Sequence, residues 1–310
     1  MDWNSPNIVE LIRRALEEDI GEGDATTEAV VPPGATAQAQ ILARQTLVCA
    51  GLPIAEQILR TLDPDIQVNC PHNDGSFVEP GAEIVHIKGN ARAILTGERT
   101  TLNFLAHLCG IATLTRRFVE QLAGTRTRIR DTRKTTPGLR ALEKYAVKTG
   151  GGNNHRFGLY DAILLKENHV ALAGGIKQAL DKAHTFAGPN VAVPRTASAY
   201  DAAGLDPEVV GPEPLPVQIE VRDERELVEA LGAGAGAVLL DNMTPGRAAE
   251  CVKIARGLRA DCVIEISGGI TLENVRAYAE AGADFLSSGM LTQSAPAANL
   301  SLLVNGIEET

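Results

Sequence analysis

Beyond Leu114, short apolar runs alternate with stretches of helical periodicity, and this alternation constrains the fold more than any other feature of the sequence. Six runs have the length and composition of buried strands, at 127–132, 161–166, 216–221, 237–242, 262–267 and 285–289. Helical patterns lie among them, at 137–149, 174–187, 222–231, 244–258 and 271–281. Apolar strands separated by helices predict a parallel sheet whose faces are covered by helices.

The number of strand–helix units limits the architecture of this region. Six units occupy about 180 residues, whereas a complete eight-stranded βα barrel needs about 250. We therefore predict a reduced or open α/β barrel, with a doubly wound sheet as the alternative. Residues 188–216 contain several prolines and no clear period, so we expect them to form a surface loop inserted before the third strand.

The chain before Leu114 has a mixed α+β pattern. Short strands are predicted at 35–49, 66–70 and 83–87, with helices beginning near Asn7, Leu52 and Ala91. We expect an N-terminal domain at 1–112 and a barrel domain at 113–292. The C-terminal tail, 293–310, is expected to pack on the first domain.

Composition excludes several classes of protein. The net charge of −10 and the aromatic content of 4% argue against a general binder of nucleic acid or of anionic membranes. No apolar run approaches the roughly 18 residues of a membrane-spanning helix, and the first residues lack the pattern of a signal peptide. The five cysteines are scattered without a CxxC or a Cys/His cluster, which argues against a zinc site or a disulfide framework. We expect a cytoplasmic protein with reduced thiols.

A polar residue lies at the carboxyl end of each of the six predicted strands. In chain order they are Asp131 with Arg133 and Lys134, then Lys166, Glu220, Asp241, Ser267 and Ser288. A single polar residue more often simply terminates a strand. Active sites of βα barrels lie at the carboxyl ends of the strands, however, so the repetition over six strands predicts a pocket there.

Basic residues are concentrated between Arg126 and Lys166, where the sequence contains ten Lys and Arg but only three acidic residues. Arg140, Lys144 and Lys148 have the i, i+4 spacing of an ordinary exposed helix face. Four others lie on predicted loops or strand ends, which favours anion binding: Arg133, Lys134, Arg156 and Lys166.

Glycine-rich strand ends indicate a phosphate site. Ser267-Gly268-Gly269 and Ser288-Gly289 follow neighbouring strands and resemble the turns that present backbone N–H groups to phosphate. The run at 150–152 is a weaker signal, because a helix end would explain it equally well. Glu220 and Asp241 end adjacent strands, and from sequence either pairing with cations or holding a hydrated Mg²⁺ is consistent with them.

The sequence around these residues resembles the quinolinate phosphoribosyltransferase family over nearly the whole chain. The most specific block is DTRKTTPGLRALEKYAVKTGGGNNHRFGLYDAILLKENH at 131–169. The motifs IEV, LLDN, EISGGI and SSG follow at 219–221, 239–242, 265–270 and 287–289. Upstream, 17–27 and 97–113 are also similar. Two features depart from the family: Cys109 replaces a common serine, and the 188–216 segment is unusually long.

The resemblance implies a fold and a reaction. The fold is an N-terminal α/β sandwich domain followed by an open six-stranded α/β barrel, assembled as a homodimer or a higher oligomer. The reaction joins quinolinate to phosphoribosyl pyrophosphate with Mg²⁺, and yields nicotinate mononucleotide, pyrophosphate and CO₂.

The resemblance also implies roles for individual residues. The quinolinate-pocket residues of the family are matched by Arg133, His155, Arg156 and Lys166. A lysine that lies between the two substrates is matched by Lys134. The carboxylates near the ribose and the metal are matched by Glu220 and Asp241. Ser267, Gly268, Gly269, Ser288 and Gly289 match phosphate-binding turns. Arg99 matches an arginine that reaches the partner subunit's site.

Three alternatives remain at this point. A barrel enzyme acting on other sugar phosphates would share the Ser-Gly-Gly turn, but it would not need so many cations. A non-catalytic relative that only binds an anionic metabolite would keep the basic pocket, although Glu220 and Asp241 argue against it. Nicotinate, with one carboxylate, is the alternative substrate for the same type of reaction.

Overall fold

The computed structural model describes residues 1–188 and 215–308, which form two compact units. Unit 1 contains Met1–Arg116, Pro137–Gly151 and the described residues from Ala295 onward. Unit 2 contains Arg117–Thr136 and the described residues within Gly152–Ser294. The domain limits expected from the sequence, 1–112 and 113–292, stay predictions.

Helices and strands are numbered in chain order over the described residues. The helices are α1 (Pro6–Ile20), α2 (Ala25–Val30), α3 (Leu52–Leu62), α4 (Ala91–Gln121), α5 (Arg140–Thr149), α6 (Glu167–Ala173), α7 (Ile176–Ala187), α8 (Glu224–Gly232), α9 (Pro245–Leu258), α10 (Val275–Ala279) and α11 (Met290–Gln293). The strands are β1 (Thr36–Ala43), β2 (Leu47–Val48), β3 (Gln67–Asn69), β4 (Phe77–Val78), β5 (Glu83–Asn90), β6 (Arg128–Arg130), β7 (Ile163–Leu165), β8 (Val217–Val221), β9 (Ala237–Asp241), β10 (Val263–Ser267), β11 (Phe285–Ser287) and β12 (Leu300–Glu308).

Unit 1 is built on an antiparallel sheet with strand order β12-β1-β5-β3. Ala37, Ala39 and Ile41 alternate along β1 and are buried, as expected for a strand with one face in the core. β12, from the tail, pairs with β1 between the partners Thr36↔Glu308 and Ala43↔Leu300. The unit therefore has the mixed α+β character that the sequence predicts.

Unit 2 contains a parallel sheet with strand order β6-β11-β10-β9-β8-β7. The first strand of the series pairs with the last, and the others follow in sequence order. A doubly wound sheet would instead reverse its strand order part of the way along. β6 and β7 occupy the two ends of the order, so the barrel is open between them. The prediction of an open six-stranded α/β barrel is confirmed.

Several predicted elements have different limits in the structure. The strand expected at 35–49 is two strands, because the chain turns at 44–46 between β1 and β2. The helix expected from 174 begins at Ile176, and α6, which was not predicted, precedes it. Gly174 and Gly175 both have positive φ and separate these two helices. α10 covers only five residues of the predicted 271–281.

Four other elements were also not predicted, namely the short elements α2, α11 and β4 and the nine-residue strand β12. Asp24 caps α2, since its Oδ1 accepts a hydrogen bond of 3.0 Å from the Thr27 N–H. The predicted loop at 188–216 lies almost entirely outside the described residues. Within the described part of the chain, no helix has both the length and the apolar character that a membrane span requires.

We predict opposite effects for alanine at two helical glycines. A Cβ at Gly110, in α4, would overlap the carbonyl oxygen of Pro296, whereas a Cβ at Gly257, in α9, would meet open space. Gly110→Ala is expected to lower the free energy of unfolding by about 1–3 kcal/mol through overpacking. Gly257→Ala is expected to raise it by about 0.5–1 kcal/mol through helix propensity. Urea denaturation of both variants checks this, and a stabilised Gly110→Ala variant would contradict it.

Candidate active site

A cavity of about 580 Å³ lies in unit 2 at the carboxyl ends of the parallel strands. Twelve of the thirteen site residues expected from the sequence line it: Lys134, Glu220, Asp241, Arg133, His155, Arg156, Lys166, Ser267, Gly268, Gly269, Ser288 and Gly289. The thirteenth, Arg99, is an exposed residue of α4 in unit 1. The structure thus brings together residues that are up to 156 positions apart, from Arg133 to Gly289.

Lys134 is held at the cavity by contacts with the segment after β11. The Thr292 hydroxyl donates a hydrogen bond of 2.8 Å to the Lys134 carbonyl oxygen, and Thr292 is buried. The Lys134 N–H donates to the Thr132 hydroxyl at 3.0 Å. A Cβ at Gly289 would lie 2.9 Å from Lys134 Cδ, so glycine leaves room for the lysine side chain.

Arg156 is nearly buried, with 7% of its surface exposed, yet it lines the cavity. Its Nη1 donates a hydrogen bond of 2.9 Å to the carbonyl oxygen of Ala162. The loop between them is closed by the Asp161 carboxylate, which accepts the N–H groups of Phe157 and Gly158 at 2.5 and 2.8 Å. A guanidinium fixed in this way is pre-organised to bind an anion.

The two carboxylates lie on neighbouring strands β8 and β9. Glu220 Oε2 accepts a hydrogen bond of 2.7 Å from Lys166 Nζ, and its side chain is 11% exposed. Burial raises the pKa of Asp241, and the charge of Glu220 adds to that increase, whereas Lys166 and Lys134 oppose it. The cavity is thus lined by these two carboxylates and by four cationic side chains, those of Arg133, Lys134, Arg156 and Lys166.

The glycine turn after β10 is packed against the end of β9. Gly268 has φ +98°, and a Cβ there would lie 2.9 Å from the Asn242 backbone nitrogen and would overlap its Oδ1. Asn242 itself has φ 52°, and its N–H donates to the Ser267 carbonyl oxygen at 2.9 Å. Asparagine tolerates this left-handed conformation better than most residues, which explains its place after the strand.

The residues after Gly268 are also held by side chains. Asn274 accepts the Thr271 N–H at 2.8 Å and donates to the Gly269 carbonyl oxygen at 2.9 Å. The Ser288 hydroxyl donates to the Ile270 carbonyl oxygen at 2.7 Å. These bonds fix the turns after β10 and β11, whose backbones line the cavity.

Several residues that line the cavity or contact its lining were not predicted from the sequence. Thr132, Asn242, Thr271 and Gln293 line it, and Glu265 is a completely buried carboxylate close to His155. Asp131, which the sequence placed at the end of the first predicted strand, is also completely buried, and it accepts the His155 N–H at 2.7 Å. The position of Asn242 directly after Asp241 was a usable signal. Glu265 stands inside an apolar strand, and its neighbours come from distant segments, so the sequence gives no sign of its role.

The arrangement is suited to binding an anion with several negative charges. Cations fixed by the protein bind carboxylates and phosphates through charge-assisted hydrogen bonds. In the part of the chain that the structure describes, no group of three or more His, Cys, Asp or Glu side chains is placed to hold a metal ion. A divalent ion at Glu220 and Asp241 would therefore need further oxygen ligands from substrates or water, as Mg²⁺ commonly has.

Comparisons with known proteins agree with this geometry. The quinolinate phosphoribosyl transferase N-terminal domain profile matches residues 24–109, and the C-terminal domain profile matches 111–210 and 196–303. A probable nicotinate-nucleotide pyrophosphorylase [carboxylating] of Bacillus subtilis is 37% identical over 96% of this chain and 94% of its own length. The corresponding Mycobacterium leprae protein is 39% identical over 91% of this chain and 92% of its own.

Solved structures show the same relationship. The nicotinate-nucleotide pyrophosphorylase from Francisella tularensis has a TM-score of 0.84 and 37% identity, over 97% of this chain and 98% of that one. NadC from Streptococcus pyogenes has a TM-score of 0.85 and 33% identity, over 99% of both chains.

Two adjacent glycines provide a test of the strained turn. Gly269 has φ +63°, and a Cβ there would meet open space, so Gly269→Ala should lower the free energy of unfolding by only about 1–2 kcal/mol. Gly268→Ala adds a clash with Asn242 and should cost about 1–3 kcal/mol more. Thermal and urea unfolding of both variants measure the difference, and equal stabilities would contradict this description of the turn.

Proposed function

We propose a reaction for this chain, which belongs to the quinolinate phosphoribosyltransferase family. It transfers the phosphoribosyl group of phosphoribosyl pyrophosphate to quinolinate, and the products are nicotinate mononucleotide, pyrophosphate and CO₂, a step of NAD biosynthesis. The observation that carries the proposal is the cavity in which four permanent cations surround two carboxylates at the strand ends.

Quinolinate is assigned to the arginine side of the cavity. The ligand has two carboxylates, and Arg133, Arg156 and Lys166 supply the matching positive charges, with His155 beside them. Arginine binds a carboxylate through two parallel hydrogen bonds, so it fixes the orientation of the ring as well as its charge. A monocarboxylate such as nicotinate would leave part of this charge without a partner.

Phosphoribosyl pyrophosphate is assigned to the glycine turns. The backbones at Ser267-Gly268-Gly269 and Ser288-Gly289 line the cavity and are suited to a phosphate group. When pyrophosphate leaves, the ribosyl carbon becomes electron-poor, and the carboxylates of Glu220 and Asp241 stabilise that charge. Lys134 offsets the negative charge that accumulates on pyrophosphate.

Bond formation and decarboxylation then follow from the chemistry of the ring. The pyridine nitrogen of quinolinate attacks the ribosyl carbon, and the ring becomes cationic. The bond from C2 to its carboxyl group breaks, CO₂ leaves, and the ring holds the electron pair until a proton adds at C2. No protein nucleophile takes part in this sequence, and the role of the protein is to position and to balance charge.

Glu220 and Asp241 are the residues that we expect to hold Mg²⁺. Their mutual repulsion contributes to the raised pKa of Asp241, so a cation between them and the substrate oxygens would be favourable. The ion would neutralise charge on the pyrophosphate group.

The assembly and the location of the protein are part of the same proposal. Arg99 is exposed on α4, and family resemblance assigns it to the site of a partner subunit in a homodimer or a higher oligomer. A cytoplasmic location is supported by the five cysteines, all of which are free.

The direct test is an assay of CO₂ release from quinolinate labelled in its C2 carboxyl group. We expect release that requires both phosphoribosyl pyrophosphate and Mg²⁺, that stops when EDTA is added, and that matches the nicotinate mononucleotide formed. Turnover of nicotinate in place of quinolinate, or CO₂ release without the pyrophosphate substrate, would refute the proposal.

In the same assay, Lys134→Ala is expected to lower kcat by roughly 100-fold or more, because it removes a charge that stabilises the transition state. Lys177→Ala is the matched control, since Lys177 pairs with Asp181 at 2.6 Å on the exposed face of α7. It should leave both kcat and the melting temperature near the values of the unmodified protein. Similar activities for the two variants would remove Lys134 from the mechanism.

A further inference from the structure

Glu265 is a completely buried carboxylate on β10, and four donors surround it. Its Oε2 lies 3.1 Å from Arg130 Nη1 and 3.2 Å from Gln218 Nε2, and the Ser287 hydroxyl also donates to the carboxylate. Its Oε1 accepts no hydrogen bond among the described residues, and it faces His155 Nε2 at 3.5 Å.

The charge state of Glu265 follows from these neighbours. Burial alone would raise its pKa, but His155, the charge of Arg130 and the hydrogen bonds from Ser287 and Gln218 outweigh burial and lower the pKa. The carboxylate is therefore ionised. An ionised carboxylate only accepts hydrogen bonds, which suits a site where every neighbour is a donor.

His155 connects Glu265 to the cavity. Its Nδ1 accepts a hydrogen bond of 2.7 Å from the Arg156 N–H, and its own backbone N–H donates to Asp131 Oδ1 at 2.7 Å. Because Nδ1 uses its lone pair as an acceptor, the ring hydrogen is on Nε2, which is the nitrogen that faces Glu265. The ring orientation, the tautomer and the backbone of Arg156 are therefore coupled.

We propose that Glu265 is a positioning residue for the quinolinate side of the cavity. Its buried charge holds His155 as the Nε2–H tautomer, and His155 holds the backbone that directs the Arg156 guanidinium into the cavity. The kinetic part of this inference rests on the proposed function, whereas the tautomer of His155 does not depend on it.

Glutamine has the same shape as glutamate but cannot take its place. If the amide oxygen of a glutamine faced Arg130 and Gln218, its NH₂ group would face the His155 Nε2–H. If the amide were reversed, the NH₂ group would face the two other donors. Either orientation places donor against donor, and moving the ring hydrogen to Nδ1 would break the bond from Arg156.

Steady-state kinetics of Glu265→Gln test the positioning role. We expect the KM for quinolinate to rise about tenfold or more, while the KM for phosphoribosyl pyrophosphate stays within about threefold, because only the arginine side is disturbed. Asp284→Asn is the matched control. Asp284 precedes β11 at the opposite end of the strands, and it pairs with Arg126 and Arg256 at 2.5 and 2.7 Å.

The control should lower the melting temperature but change neither KM by more than about threefold. Equal increases in both KM values for Glu265→Gln, or values like those of the unmodified protein, would overturn the positioning role. If Glu265→Gln does not fold, the tautomer of His155 in the unmodified protein, measured by NMR, tests the inference instead.

NMR spectra of the unmodified protein, with ¹⁵N-labelled histidine and no substrate, report the tautomer directly. His155→Gln identifies the resonances of this ring among the six histidines of the chain. At neutral pH we expect hydrogen on Nε2 and none on Nδ1, because Nδ1 accepts the Arg156 N–H. Hydrogen on Nδ1 would overturn the inference, and neither result bears on whether the protein turns over quinolinate.

Discussion

Positive charges inside one cavity repel each other, and the fold depends on carboxylates placed to offset them. Lys166, at the cavity, is paired with Glu220, while the completely buried Glu265 accepts a hydrogen bond from the buried Arg130. The free-energy cost of removing water from buried charged groups arises when the protein folds. Their charges are therefore already oriented when an anion binds. The overall charge of −10 disfavours anions at long range, and binding is thus determined by the short-range arrangement.

The parallel sheet provides the geometry for this balance. Because all six strands run in one direction, their carboxyl ends lie at one edge, and the turns that follow them meet around one cavity. Because β6 pairs with β11, Lys134, after the first strand of the sheet, lies beside Gly289, after the last. Gly268 and Asn242 accept left-handed conformations that allow neighbouring turns to pack closely.

Much of this was predictable because the signals are local. Apolar runs separated by helical periods predicted the sheet, and the polar residue at each strand end predicted the cavity. Predicted strands are one or two residues too long at their ends, as at 127–132 against β6, because polar residues there belong to the turns. Arg99 belongs to unit 1, and the role expected for it involves a second subunit, so its assignment stays a prediction.

Features that depend on distant neighbours were not predictable from one sequence. Glu265 reads as part of an apolar strand, and its partner Arg130 lies 135 positions away. α6 has no buried residue, so it lacks the amphipathic pattern by which helices are recognised. Residues 189–214, most of the predicted 188–216 loop, lie outside the described residues.

The arginine side of the cavity is proposed to receive a pyridine dicarboxylate, and a crystal structure of the protein with quinolinate would show whether it does. We expect the ligand at the carboxyl edge of the parallel sheet, with its carboxylates within hydrogen-bond distance of Arg133, Arg156 or Lys166. Quinolinate bound elsewhere, with no contact to these three side chains, would refute the proposed site.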